Sequence, residues 1–261
     1  MRWHLAIDAA LVLAVAFVAL HWWRTLGRLR AARMTGPSPI PTVGVETLDC
    51  AFAQGAFGPT PDAEVSFVGR ASAEVLGGTS DAESWILAVL AKRARLMFEL
   101  GTCTGKTAYL WARNSRPDAR VVTVTLHPDD VARYAPGQGD TDGEMRAALE
   151  ESQFTRFLYT GTDVEGKISQ IFSDTKALDT SPWAGQCDLV FVDASHAYSY
   201  VLNDTRHALA LVRPGGLVLW HDYVSPAHCS GVWRALNELA RELPLTRVAR
   251  TSLVAYRRPA A

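Results

Sequence analysis

An α/β fold, with a parallel sheet covered by helices on both faces, is what this sequence predicts, and three observations predict it. Short apolar runs such as Leu96–Leu100 and Asp188–Val192 alternate with helical segments. A glycine-rich turn, Gly101 to Gly105, follows the first of those strands. The acids and histidines with chemical potential follow later strand ends, where ligands sit in such sheets.

The chain has 261 residues, 48% hydrophobic and 20% charged, with a formal net charge of -1, which suits one domain plus a short extra segment. No basic excess points to a nucleic-acid partner. Cys50, Cys103, Cys187 and Cys229 form no C-x-x-C pair, so neither a zinc cluster nor a disulfide framework is indicated and a reducing compartment is expected.

The extra segment comes first. Leu5–Trp23 is apolar except for Asp8 and is long enough to span a bilayer as a helix, with Trp3, Trp22 and Trp23 at interfacial positions. It lacks a small-x-small cleavage site, so an uncleaved transmembrane anchor is expected over residues 1–33. Arg24, Arg28, Arg30 and Arg33 outnumber Arg2, which places the remainder in the cytoplasm of a single-pass protein. Residues 34–78, broken by Gly36-Pro37 and Gly58-Pro59, read as a linker to a domain at 79–261.

Within that domain, Ser80-Asp-Ala-Glu83 is a capping box and starts a helix. The expected order is then strand Leu96–Leu100, helix Thr107–Asn114, strand Val121–Leu126 and helix Gly143–Ser152. A helix Gly166–Phe172, strand Asp188–Val192, helix Tyr198–Val212, strand Gly216–Trp220, helix Val232–Leu243 and two short strands complete it.

Phe98-Glu-Leu-Gly-Thr-Cys-Thr-Gly-Lys-Thr107 is the most informative stretch. A Walker loop needs four residues between its first glycine and Gly-Lys-Thr, whereas Gly101 and Gly105 enclose three. Cys103 stands where a dinucleotide fingerprint needs its second glycine. Acid-x-Gly-x-x-x-Gly at a strand end fits better: the glycines let backbone approach a ligand, and Glu99 offers a carboxylate to a cationic ammonium. S-adenosylmethionine is such a ligand.

From Ser80 to Arg257 the chain resembles the class I S-adenosylmethionine-dependent methyltransferases of the metal-dependent O-methyltransferase type, and is similar to sugar O-methyltransferases. Glu99-Leu-Gly-Thr-Cys-Thr-Gly105, Phe191-Val-Asp-Ala-Ser-His196, Val212-Arg-Pro-Gly-Gly-Leu-Val-Leu-Trp-His-Asp-Tyr223 and Thr251-Ser-Leu-Val-Ala-Tyr256 carry the likeness, in the family's order. The resemblance implies a Rossmann-like seven-stranded sheet whose last strand is antiparallel. It also implies donor contacts at Glu99, Gly101, Thr102 and Gly105, and an adenine contact at Asp174. It departs from the family at Thr125, where an acid usually holds the ribose; Asp129 and Asp130 come slightly later.

Asp193, His221 and Asp222 follow two strands and offer two carboxylates and an imidazole to a divalent metal. The resemblance implies magnesium, but His221 replaces an acid of the sugar enzymes, and imidazole brings manganese, iron or zinc into range. The resemblance also places His196 as the general base. Tyr198 and Tyr200, just after His196, are placed to line the acceptor pocket, but packing is the more economical reading; His127 and His207 read as surface residues. The function expected is O-methylation of a small-molecule or glycan hydroxyl, in a sugar, polyol or lipid-linked glycan. Thr125 and His221 leave a non-catalytic binding protein as the runner-up, and the short Walker spacing leaves a phosphohydrolase a distant third.

Overall fold

The computed structural model describes residues 14–24, 38–52, 54–55, 58–59, 63–65 and 78–260. Apart from a two-stranded antiparallel hairpin at Gln54–Gly55 and Gly58–Pro59, the strands in chain order are β1 (Thr42–Val43), β2 (Leu96–Leu100), β3 (Arg120–Thr125), β4 (Ile168–Phe172), β5 (Cys187–Val192), β6 (Val212–Trp220), β7 (Thr246–Val248) and β8 (Val254–Arg257). They form one eight-stranded sheet in the order β1-β7-β8-β6-β5-β2-β3-β4. β8 runs antiparallel to both β6 and β7, while β4, β3, β2, β5 and β6 are parallel neighbours.

The six strands read from the sequence are present, β4 brings the count to the seven that the resemblance implies, and β1 adds an eighth from the stretch read as a linker. β1 pairs in parallel with β7. Ile40, Leu48 and Phe52, from that same stretch, are buried in the two cores. A second correction concerns Gly166–Phe172, expected as a helix. A short 3-10 turn at Glu165–Lys167 leads into strand β4, whose Ile168, Ile171 and Phe172 favour extended backbone and extend the ladder beside β3.

Helices α1 (Asp81–Ala91), α2 (Lys106–Asn114), α3 (Asp142–Glu151), α4 (Tyr198–Leu211) and α5 (Ser230–Leu239) complete the domain. Alternation along the central strands supplies both faces. Met97, Leu189, Phe191, Leu217 and Leu219 pack with α1 and α2, whereas Phe98, Val190, Val192, Val218 and Trp220 pack with α4 and α5. α1 begins with the predicted box: Ser80 Oγ accepts from Glu83 N, and the Glu83 carboxylate accepts from Ser80 N at 2.9 Å. α3 starts on a second box, Thr141 with Glu144, that the reading of the sequence passed over.

The expected membrane span, Leu5–Trp23, lies partly outside the described residues. Residues 14–24 are helical with exposed side chains, and among the described residues no helix is long and apolar enough to cross a membrane.

Candidate functional site

Strand order reverses between β2 and β5, and the crevice beyond their carboxyl ends is where this architecture places ligands. Ladder bonds bring three turns side by side there. Gly101 N donates to Val124 O at 2.9 Å, Asp193 N to Leu100 O at 2.8 Å, and His221 N to Val192 O at 3.1 Å. Gly101 adopts φ 107°, and a side chain on it would collide with the Asp193 carbonyl. The glycine is therefore required by the protein's own backbone.

A cavity opens over this edge, lined by Gly101, Thr125, Tyr134, Asp174, Asp193 and Tyr200 among others. A second space is lined by Gly78, Cys103, Glu151, Asp193, His196, His221 and Asp222. Cys103, Glu151 and Asp193 face both. Burial pushes the Glu151 carboxyl up to about 7, with nearby His196 pulling down and Asp193 and Asp222 adding repulsion.

The predicted donor residues divide. Gly101 and Asp174 line the first cavity; Glu99, Thr102 and Gly105 are not among its lining residues. Glu99 is buried, accepts from Thr123 Oγ1 at 2.5 Å, and has a carboxyl pushed up to about 8 by burial. The Thr102 hydroxyl is taken up with Thr123 Oγ1 at 2.7 Å and Gln170 Nε2 at 3.1 Å. Gly105 is the left-handed N-cap of α2, and a side chain on it would press on Phe157 and Tyr159.

Asp174 caps a 3-10 turn, accepting from Lys176 N at 2.9 Å, and also accepts from Tyr200 Oη at 3.0 Å. Thr125 faces the cavity, whereas Asp129 and Asp130 are not among its lining residues and pair with His127 and Arg133. Two tyrosines line the first cavity. Tyr200, weighed for the acceptor pocket but read as packing, and Tyr134, passed over, stack with ring centroids 4.5 Å apart on its wall, and Tyr134 Oη meets Ser195 Oγ at 2.6 Å.

Asp193, His196, His221 and Asp222 come together as predicted. His221 Nδ1 lies 3.0 Å from Asp193 Oδ1 and 3.2 Å from Asp222 Oδ2, and His196 Nε2 lies 2.9 Å from Asp222 Oδ2. Asp222 adopts φ 60°, a left-handed backbone that Asp tolerates, at the point where its carboxylate meets both rings. Burial alone would lower the His221 pKa, but Asp193, Asp222 and Glu83 hold it well above the ordinary value. Burial likewise opposes charge on His196, yet Asp222 carries it up to about 9. Burial raises the Asp193 carboxyl, while the two histidines hold Asp222 below the usual carboxylate range against its own burial.

Glu83 is the site residue that the sequence showed only as a cap. Its Oε2 lies 3.4 Å from His221 Nε2, and its Oε1 accepts from Ser252 N at 2.7 Å and Ser252 Oγ at 2.8 Å. The donor atoms of Asp193, His221 and Asp222 lie within 4.8 Å of one another. That set fits a divalent cation held through His221 Nδ1, with Glu83 fixing the opposite ring nitrogen as an outer partner.

Residues 98–223 match a protein family described as "Methyltransferase domain". No curated protein matches the chain. Similar solved structures include the O-methyltransferase TomG of Streptomyces achromogenes in complex with SAM, 22% identical, covering 69% of this chain and 82% of that one, with a TM-score of 0.45. Cofactor-bound Rv0187 from MTB is 22% identical over 70% of this chain and 82% of that one, with a TM-score of 0.47. The SAH-bound methyltransferase PaMTH1 of Podospora anserina is 17% identical over 71% and 81%, with a TM-score of 0.49.

Proposed function

We propose that this chain, whose residues 98–223 match the family described as "Methyltransferase domain", uses S-adenosylmethionine to transfer a methyl group to a hydroxyl of a small-molecule or glycan acceptor. One observation carries the reading: the cavity over the Gly101 turn and the polar space holding His196 share the wall made by Cys103, Glu151 and Asp193. A donor in the first and an acceptor in the second would meet at that wall, as an in-line displacement requires.

The residues divide the work. Gly101 and Asp174 would receive the donor, and Glu99, buried behind the turn with its carboxyl pushed up to about 8, would give up its proton to pair with the donor's ammonium. Thr125 would give the ribose one hydroxyl where an acid is usual. A neutral hydroxyl is a weak nucleophile, so its proton must be weakened or removed. A divalent cation on Asp193, His221 and Asp222 would lower the hydroxyl's pKa when bound. His196, oriented by Asp222, would accept the proton. Its elevated pKa in the metal-free site means that a cation, by drawing on Asp222, would return the ring toward a base.

The test is to supply the full chain with S-adenosylmethionine, with and without divalent ions, and a panel of sugars, polyols and lipid-linked glycans. S-adenosylhomocysteine and methylated product should form and should fall roughly a hundredfold in His196→Ala, the scale of a lost general base. Thr125 favours a second reading, a donor-binding protein without turnover. Calorimetric donor binding with no product on any acceptor would support it. The apolar run Leu5–Trp23 supports a single-pass tether that leaves the domain in the cytoplasm, near a lipid-linked acceptor. Recovery of the chain in the soluble fraction without detergent would reject that placement.

A further inference from the structure

We propose that the chain holds a second cation site, for a thiophilic divalent ion such as Zn²⁺, on His196, Asp222 and Cys229, and that its occupation captures the His196 imidazole. The ligand atoms of these three residues lie within 4.8 Å of one another, as do those of Asp193, His221 and Asp222, and Asp222 belongs to both sets. The sets differ in chemistry. Two carboxylates and one imidazole suit a hard or intermediate ion, whereas thiol, imidazole and carboxylate select a softer one. Three protein ligands with an open fourth position is also an arrangement that Zn²⁺ accepts.

Cys229 is distant in sequence from His196, and packing explains their meeting. α5 starts directly after Cys229, and its second residue is Gly231. A side chain on Gly231 would run into the His196 carbonyl and Tyr198 N, so the first turn of α5 lies directly on the backbone that carries His196. Glu144 of α3 fixes that turn by accepting from Gly231 N and Ser230 Oγ, both at 2.6 Å. Cys229 N donates to Ser225 O at 3.1 Å, which folds the segment after Asp222 back on itself. The thiol is buried, and on coordination its proton leaves to solvent as the thiolate binds the metal.

The site stands on this geometry alone; its inhibitory consequence rests on His196 being the base proposed above. The probe is Co²⁺ added to the full chain without other metals. A thiolate-to-cobalt charge-transfer band should appear in the near ultraviolet, be displaced by Zn²⁺, and resist excess Mg²⁺. Cys229→Ser should abolish the band and weaken Zn²⁺ binding by a factor on the order of ten or more, since even outer-shell changes cost that much. Cys103→Ser and Asp193→Asn should keep the band, which excludes the other thiol beside the polar space and the other ligand set. A band that survives Cys229→Ser, or no band in wild type when the visible cobalt absorption has saturated, overturns the site. In the methyl-transfer assay, Zn²⁺ should inhibit wild type and lose that effect in Cys229→Ser. A cobalt-thiolate band without zinc inhibition would keep the site and reject His196 as the base.

Discussion

His196 and Asp222 form an ion pair of 2.9 Å, and the Asp222 oxygen that makes it also lies 3.2 Å from His221. The His196 pKa is raised from 6.5 to about 9, so the folded state binds that proton more tightly than the unfolded chain. The stability this supplies is fully present below about pH 6.5 and is lost as pH rises through about 9. In metal-free protein, Asp222→Asn should therefore cost on the order of 3 kcal/mol near pH 6, progressively less as pH rises from about 6.5, and little above about pH 9. His196 ring proton shifts, followed by NMR across that range, should report a midpoint moved down toward the ordinary imidazole value in the variant. An unchanged midpoint would mean that another carboxylate holds the proton.

Glu83 joins the start of α1 to His221 and Ser252. Its burial would raise its pKa, but hydrogen bonds from His221, Ser252 and Ser80 hold it below the ordinary carboxylate range. A lowered pKa contributes stability above the unfolded value of 4.5 and loses it as pH falls below that value. Glu83→Ala should cost about 3–5 kcal/mol at pH 7, because Ser252 N and the His221 ring lose a buried acceptor. The penalty should shrink in acid. Denaturant melts at pH 7 and pH 4 measure both numbers, and an equal loss at the two pH values would refute the charged role.

These two clusters show what the sequence could reveal. Strand ends were legible because apolar runs stop where glycine, Asp193 and His221 begin, and parallel strands bring such ends to one edge. Hence the four residues Asp193, His196, His221 and Asp222 were found together. Glu83 and Tyr134 were not, because each reaches the edge through packing of a helix or loop that no local pattern encodes. Tyr200 was weighed for the acceptor pocket and read as packing, since an aromatic residue near a motif gives no sign of which wall it lines. Thr102 and Gly105 were assigned from a motif, while their contacts are with Thr123, Gln170 and the rings of Phe157 and Tyr159. β4 was misread because residues 166–172 are too few to separate a helical from an extended period.

Gly101 carries a sharper test of the glycine turn. Its φ of 107° disfavours any side chain, and even a methyl group meets the Asp193 backbone. Gly101→Ala should destabilise the domain by about 2 kcal/mol or more through strain and forced displacement. It should weaken donor and metal binding together, since the same collision moves Asp193. Lys106→Ala should do neither. Lys106 Nζ donates to Thr79 O at 2.9 Å, a half-buried contact worth about 1 kcal/mol. ATP binding abolished by Lys106→Ala would restore the phosphate-loop reading that the short spacing argues against.

Glu99 gives a pH signature of opposite direction to Glu83. Burial raises its carboxyl from 4.5 to about 8, so the stability linked to its protonation is complete below about pH 4.5 and is lost as pH rises through about 8. Glu99→Gln keeps the shape without the charge. At pH 9 it should stabilise the unliganded domain, by at most on the order of 4 kcal/mol, and at pH 5 it should change little. Thermal melts of both proteins at the two pH values decide this. If Glu99 also faces the donor's ammonium, the same variant should bind S-adenosylmethionine at least about tenfold more weakly, the loss of a charge-assisted hydrogen bond.

Truncation tests where the domain begins. Ile40 is 2% exposed, Phe52 3% and Leu48 5%, and residues 42–43 pair with β7, so residues 38–52 belong to the packed unit. Tyr223 Oη shares a 2.8 Å hydrogen bond with Ser38 Oγ, which ties the start of that stretch to the residue after Asp222. Deleting residues 1–33 should leave a domain that still binds donor and metal, with a melting temperature close to that of the full chain. Deleting residues 1–78 uncovers the surface on which Leu48 and Phe52 lie and removes the Ser38 contact beside the site. Loss of three buried large apolar side chains should cost several kcal/mol, at about 1.5–3 kcal/mol each, enough to unfold a domain of ordinary stability. Circular dichroism and calorimetry on the two truncations separate the outcomes. A stable, donor-binding product from the longer deletion would return residues 38–52 to the status of a linker.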